Sequence, residues 1–347
     1  MATISEIAKM AGVASSTVSR VINGDSSLSI SDKKRLNILK IVEQINYKSP
    51  RQRKIENTKQ TSVINVRNNY QPPQSKATYL CIVHFLSPVE ELNDPFYTSI
   101  RTALEQKCQQ YEIPIRRVFK SHLHNHKTTL TEADSVIIIG HYRDDEIHYM
   151  FSLNESLIFI DSKPNTINVD SVAFDIRSAA KEIVNLILDN GSRRPAFIGN
   201  DNEVRLSVFT ELVKRKNVYN KKFCKISKNF CVNSGYEAMI DILKEKELPD
   251  VLFAATDTIA IGAMRAIQEK GLQIPNDIQV VGMNDIVTAE HLHPSLSTMR
   301  LFPYDMGEAA FALFLERIEG RQAVKSVHLG HKFIWRESFT KQQNSEK

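Results

Sequence analysis

The chain has 347 residues, 42% of them hydrophobic and 24% charged, which predicts two to three domains and excludes disorder as the main state. No apolar stretch approaches the about 18 residues of a membrane-spanning helix, and Met1-Ala2-Thr3-Ile4-Ser5-Glu6 lacks the parts of a secretory signal, so a cytoplasmic protein with no membrane partner is expected. Of the 45 Lys and Arg and 40 Asp and Glu, eleven and five fall in residues 1–60, leaving a body of 34 against 35. A basic head before a neutral body is the footprint of a nucleic-acid binder, although a solvated charged face has the same composition.

Ile4, Ile7, Ala8 and Ala11 recur at helical spacing, and Gly12-Val13-Ala14 then interrupts the helix. A second helix starts at Ser15, with Val18, Val21 and Ile22 at i, i+3, i+4 to pack on the first. Its polar face carries Ser15, Ser16 and Arg20, which can reach base edges from a major groove, while Thr17, Ser19 and Asn23 suit phosphate contacts. A third helix, capped by Ser31 or Asp32, repeats apolar residues at Ile38, Ile41, Val42 and Ile45 and would close a three-helix core.

The string Thr3-Ile4-x-x-Ile7-Ala8-x-x-Ala11-Gly12-Val13-x-x-x-Thr17-Val18-Ser19-Arg20-Val21-Ile22-Asn23 closely resembles the DNA-binding head of the LacI/GalR family of bacterial transcription repressors. The resemblance implies that Ser15, Ser16 and Arg20 read operator bases and adds Thr3 to the DNA-contacting set. Two serines are a weak code, because a hydroxyl serves several bases. The family's hinge segment matches Tyr47 to Glu56, with Ile55 where a leucine usually wedges into the minor groove, beside Arg51 and Arg53. Such a wedge makes physical sense, since phosphate contacts along bent DNA offset the unstacking; a merely packed linker residue is the alternative. Residues 59–77 are rich in Asn and Gln with Pro72-Pro73, and read as a flexible tether longer than the family norm.

From Tyr79 short apolar runs alternate with amphipathic helices. The strands are Tyr79 to Phe85, Ser135 to Ile139, Leu157 to Ile160, Ala196 to Ile198, Val251 to Ala255 and Gln279 to Val281. The helices are Phe96 to Tyr111, Ile176 to Asp189, Ser234 to Lys246, Asp257 to Lys270 and Tyr304 to Ile318. Alternating β and α predicts doubly wound parallel sheets with a ligand cleft at the strands' carboxyl ends, and the length of the body requires two of them. The fold class is therefore α/β: a three-helix helix-turn-helix head and a two-lobed core resembling the periplasmic-binding-protein-like body of the same family. The expected boundaries are 1–58 for head and hinge, 59–77 for linker and 78–340 for core. By the same resemblance the N-lobe takes about 78–174 and 299–324, and the C-lobe about 175–298 and 325–340, with crossings near Phe174, Thr298 and Val324.

No G-x-x-x-x-G-K-[ST], G-x-G-x-x-G or G-x-S-x-G string occurs, and twelve glycines are few for cradling phosphates, so no enzyme, catalytic residue or cofactor is expected. Ser121-His122-Leu123-His124-Asn125-His126 reads as a solvated polar loop, since no carboxylate pair or cysteine stands at ligand spacing. Cys81, Cys108, Cys224 and Cys231 are scattered and read as buried thiols, so no metal site is expected.

Sugar recognition needs carboxylates and amides forking between hydroxyls and an aromatic face against the ring. The resemblance implies these at Asp94 and Phe96 in Asp94-Pro95-Phe96-Tyr97, at Arg205, at the stacking aromatic Phe230, at Thr256 and Asp257, and at Asn284 and Asp285. Asp161 and Asp175 are further strand-end acids, of which Asp175 is preferred. Singly, Asp257 reads equally as a helix cap and Asp285 as a turn residue. Where Asn284 and Thr256 stand, the family often has Asp and Asn.

The expected function is a dimeric, sequence-specific repressor of a galactose or galactoside operon, released from double-stranded operator DNA by its sugar. The tail from Thr340 has no leucine heptads, so no coiled-coil tetramer is expected. The alternatives are a family member that needs another ligand or a partner as co-repressor, and a sugar-binding module or enzyme carrying a basic head.

Overall fold

The computed structural model describes residues 4–22, 30–44, 79–92, 94–201 and 203–341. Thr3, Asn23, Arg51, Arg53 and Ile55, together with Ile45 and the tether 59–77, lie outside the described residues. The chain forms two compact units that divide between Pro72 and Pro73.

The first unit holds α1 (Ile4–Ala11), α2 (Ser15–Ile22) and α3 (Asp32–Gln44). Ile7, Val18 and Ile38 are fully buried where the three helices meet, with Ala8, Val21 and Ile41 nearly so. Gly12 makes the turn between α1 and α2 at φ +64, the left-handed region that a side chain disfavours, and the Val13 N–H closes it on the Ala8 carbonyl at 3.0 Å.

The second unit has two lobes, each built on a six-stranded sheet. The N-lobe contains β1 (Leu80–His84), α4 (Pro88–Glu91), α5 (Pro95–Gln110), β2 (Ile115–Phe119), α6 (Lys127–Glu132), β3 (Ser135–Ile139), α7 (Asp144–Leu153), β4 (Leu157–Ile160) and β5 (Asp170–Phe174). In the C-lobe come α8 (Ile176–Asp189), β6 (Pro195–Gly199), α9 (Val204–Arg215), β7 (Cys224–Ile226), α10 (Val232–Ile242), β8 (Val251–Ala254), α11 (Asp257–Glu269), β9 (Gln279–Asn284) and β10 (Ser297–Arg300). The chain then returns for α12 (Pro303–Ile318) and β11 (Ser326–Leu329) in the N-lobe and ends with β12 (Lys332–Ile334) in the C-lobe.

The N-lobe sheet runs β11-β5-β4-β3-β1-β2, all parallel. The C-lobe sheet runs β12-β10-β9-β8-β6-β7, parallel except where β12 lies antiparallel on β10. Both faces of the central strands are apolar because both are covered. Leu80, Ile82, Ile137, Ile139, Ile158 and Ile160 point into one core with Ile100 and Leu104 of α5. The alternate residues Cys81, Val83, Val136, Ile138, Leu157 and Phe159 pack with Leu130, Ile147 and Met150 on the other face. Burial raises the Cys81 and Cys108 thiols to about 12, which leaves them inert.

The crossings fall at Phe174–Asp175, at Leu301–Phe302 and at Gly330–His331. The third is later than the expected Val324, because Ser326–Leu329 pairs in parallel with Ser171–Phe174 and so extends the N-lobe. The histidine run is not a loop. It winds into 3-10 turns over Lys120–His126, with Leu123 buried and the His124 ring 4.5 Å from that of Tyr149. Among the described residues no helix is long and apolar enough to cross a membrane.

Candidate functional site

In the first unit the apolar stripe of α2 faces the core, which fixes what its opposite face offers. Val18 and Val21 turn inward while Ser15, Ser16 and Arg20 are exposed and Thr17 and Ser19 half-buried. Hydroxyls and a guanidinium thus stand on one side of a short rigid helix, the arrangement that base-edge and phosphate recognition requires.

In the second unit the candidate site lies where the parallel strands end. Asp94 precedes α5 and caps it, its carboxylate accepting the Phe96 and Tyr97 N–H groups at 3.1 and 3.3 Å. Burial raises its pKa against those two donors. Phe96 itself turns into the core, 7% exposed, with its ring centroid 6.2 Å from that of Phe174. Its neighbour Tyr97 takes the polar role: its hydroxyl donates to Asp161 Oδ2 at 2.6 Å. Asp161 ends β4 in a left-handed conformation, φ +62, with His141 Nε2 at 3.8 Å from the same oxygen. Burial raises the Asp161 pKa, while His141, the Tyr97 hydroxyl and Arg205 oppose it. Burial, reinforced by Asp161, likewise lifts Tyr97 well above the ordinary phenol range, with Arg205 opposing. Tyr97 and Asp161 belong to the N-lobe and Arg205 to the C-lobe, so its charge is felt across the gap between the lobes.

On the C-lobe side, Arg205 lies with its guanidinium 5.1 Å from the centroid of the Phe230 ring. Its Nε and Nη2 donate to Glu203 Oε2 at 2.8 and 2.5 Å, and its Nη1 to the Ala255 carbonyl at 2.5 Å. The Phe230 loop is pinned by Thr258, whose hydroxyl donates to the Phe230 carbonyl at 2.8 Å. Asn284 closes β9 at φ +118 and is half-buried, followed by Asp285 at φ +54. Positive φ at Asp161, Asn284 and Asp285 puts backbone strain at strand ends, where functional sites store it.

Several expected ligand contacts are engaged internally instead. Thr256 is the cap of α11, accepting the Ile259 N–H at 3.3 Å. Asp257 is fully buried: the Thr298 hydroxyl donates to it at 2.6 Å and the Ile286 N–H at 2.9 Å. Burial raises its pKa to about 6. Asp285 is held by Arg300 and by Arg336, the latter at 2.7 Å, and its side chain is 3% exposed. Asp175 is exposed and caps α8 through the Ser178 N–H at 2.9 Å, so the preference for Asp175 over Asp161 is reversed by the geometry. Tyr97, His141, Asp161 and Glu203 are thus the residues that sequence reasoning missed or ranked too low. Tyr97 sat in the quoted Asp-Pro-Phe-Tyr string, and Glu203 stands two residues before Arg205 as a local acid-base pair; nothing local marks His141.

Among the described residues no group of three His, Cys, Asp or Glu could hold a metal ion.

Residues 3–49 match the family described as bacterial regulatory proteins, lacI family, and residues 171–339 match a periplasmic binding protein-like domain. The chain is 30% identical to the HTH-type transcriptional repressor MelR of Bacillus subtilis (strain 168), over 97% of each chain. It is 29% identical to the HTH-type transcriptional regulator GalR of Streptococcus thermophilus, over 97% of this chain and 99% of the relative. A solved structure of the lac repressor dimer bound to operator and the anti-inducer ONPF has the same fold, with TM-score 0.66 and 22% identity over 97% of this chain and 98% of that one.

Proposed function

Because the chain belongs to the LacI family of bacterial regulatory proteins and is a DNA-binding transcriptional repressor, not an enzyme, we propose that a sugar in the interlobe cleft, galactose or a galactoside, releases it from its operator. The reading is supported by a carboxylate and phenol at the strand ends of one lobe (Asp161, Tyr97) and a guanidinium and ring at those of the other (Arg205, Phe230), with the charge of Arg205 acting on both N-lobe groups. Hydroxyl acceptors, hydroxyl donors and an apolar face are what a hexose needs. The galactoside assignment is supported by the GalR relative.

Base reading falls to Ser15, Ser16 and Arg20, with phosphate contacts from Thr3, Thr17, Ser19, Asn23, Arg51 and Arg53 and a minor-groove wedge at Ile55. Two heads on a pseudo-palindrome make the working species a homodimer. The ligand biases the relative rotation of two lobes joined by three crossings, and a coupling of about 1–3 kcal/mol gives roughly 5- to 150-fold regulation.

The test is binding of the full chain to DNA from its own upstream region at fixed salt, titrated with galactose, lactose and a non-sugar control. Loss of specific binding with a galactoside alone, and loss of all specific binding in Arg20→Ala, are the expected results. Tight binding that no sugar affects would refute the effector, and binding that appears only with added ligand would make the protein a co-repressor reader.

A further inference from the structure

Arg205 does not meet the cleft with an uncompensated charge. Glu203, immediately before α9, has a side chain 11% exposed and grips the guanidinium through Nε and Nη2. Its second oxygen accepts the Asn200 N–H at 2.9 Å, so the carboxylate is fixed from two sides. A Cβ at Gly199 would lie 2.2 Å from that oxygen, so the end of β6 is shaped to admit this carboxylate. The other wall carries a second carboxylate, Asp161, near enough for the charge of Arg205 to act on it. Arg205 therefore pairs with one carboxylate, Glu203, while its charge acts on a second, Asp161.

For an uncharged sugar this arrangement is favourable. The Nη hydrogens of Arg205 left over from Glu203 and Ala255 are aimed by those partners, and Asp161 accepts hydroxyls. An anionic ligand must instead lie beside two fixed negative charges or displace one of them, and like charges a few ångströms apart in a partly desolvated site repel strongly. We propose that Glu203 is a specificity residue that neutralises and orients Arg205, confining the effector cleft to uncharged sugars and rejecting hexose phosphates and uronates. This rests on the sugar-effector reading above and adds the ligand's charge to it.

The experiment is calorimetric titration of the full chain with galactose, lactose, galactose 6-phosphate and galacturonate at fixed salt, for wild type, Glu203→Gln and Glu203→Asp. Wild type is expected to bind a neutral sugar at least about tenfold more tightly than either anion, tenfold being about 1.4 kcal/mol. Glu203→Gln keeps an oxygen for Arg205 but removes the negative charge, and is expected to narrow that ratio by about tenfold, with the gained anion binding weakening as salt rises. Glu203→Asp restores the wild-type ratio. A merely structural role would weaken all sugars together and leave the ratio unmoved, which would overturn the proposal. Wild-type protein that binds galactose 6-phosphate or galacturonate as tightly as galactose would overturn it without any variant. Silence toward all four ligands would remove the sugar reading itself, and this proposal with it.

Discussion

Asp257 shows how far a residue's chemistry depends on what encloses it. It is an acid at the start of a helix following a strand, a position shared by ligand-binding acids and ordinary caps, but here Thr256 is the cap and Asp257 is buried behind it. With no exposure and donors from Thr298 and Ile286, it fastens the turn after β9 to the start of α11. Its folded pKa, about 6, lies above the ordinary 3.8, so the folded state binds the proton more tightly. The resulting stability is full below about pH 4 and is lost as pH rises through 6. Urea unfolding of wild type and Asp257→Asn at pH 5 and pH 7 should show wild type gaining about 1 kcal/mol on the variant at the lower pH. An equal difference at both pH values would mean that the carboxyl titrates normally. The two strand-end acids separate as cleanly. Asp161→Asn is expected to cut sugar affinity by roughly 10- to 150-fold, the worth of a hydrogen bond to a charged group. Asp175→Ala should leave affinity unchanged and cost about 1 kcal/mol as a lost cap in thermal unfolding.

At the level of elements, α10 and α11 pack through glycines. A Cβ on Gly262 would lie 1.9 Å from the Val232 carbonyl oxygen, and one on Gly235 would lie 2.2 Å from that of Ile259. The helices approach backbone to backbone, so Gly262→Ala must push them apart, at a cost of about 1–3 kcal/mol visible as a lowered melting temperature. An unchanged melting temperature would show that the pair is loose. The central strands β1, β3, β4, β6, β8 and β9 were legible because burial on both faces leaves unbroken apolar runs. Other strands were not. β2 exposes both Arg116 and Arg117 at a sheet edge, and β5 begins with Asp170, a buried acid paired with Arg317 of α12 and with Arg321 just beyond that helix. Partners 147 and 151 residues away leave no local mark. The same holds for Asp161, whose role depends on a tyrosine 64 residues earlier. The three helices of the head were legible over the described residues because the turn at Gly12 and the apolar stripe are both local.

At the level of the whole second unit, three crossings join the lobes and one hydrophobic cluster runs through both, with Leu80 and Ile100 in the N-lobe and Phe197 and Phe253 in the C-lobe. The C-terminal segment also reaches the site: Arg336, beyond β12, pairs with Asp285 beside Asn284. Arg336→Ala is therefore expected to loosen the turn after β9 and to weaken sugar binding severalfold in the same calorimetric titration, although Arg336 holds the site through Asp285.

β11 and β12 have a consequence for the order in which the protein is made. Each is the outermost strand of a different sheet, and both lie within residues 326–334. Ser338 and Phe339, buried just beyond them, fasten the tail under the C-lobe through the Val280 backbone. A ribosome that has translated the first 320 residues has therefore released neither lobe's full set of strands. Both must wait, incomplete, for the same few codons.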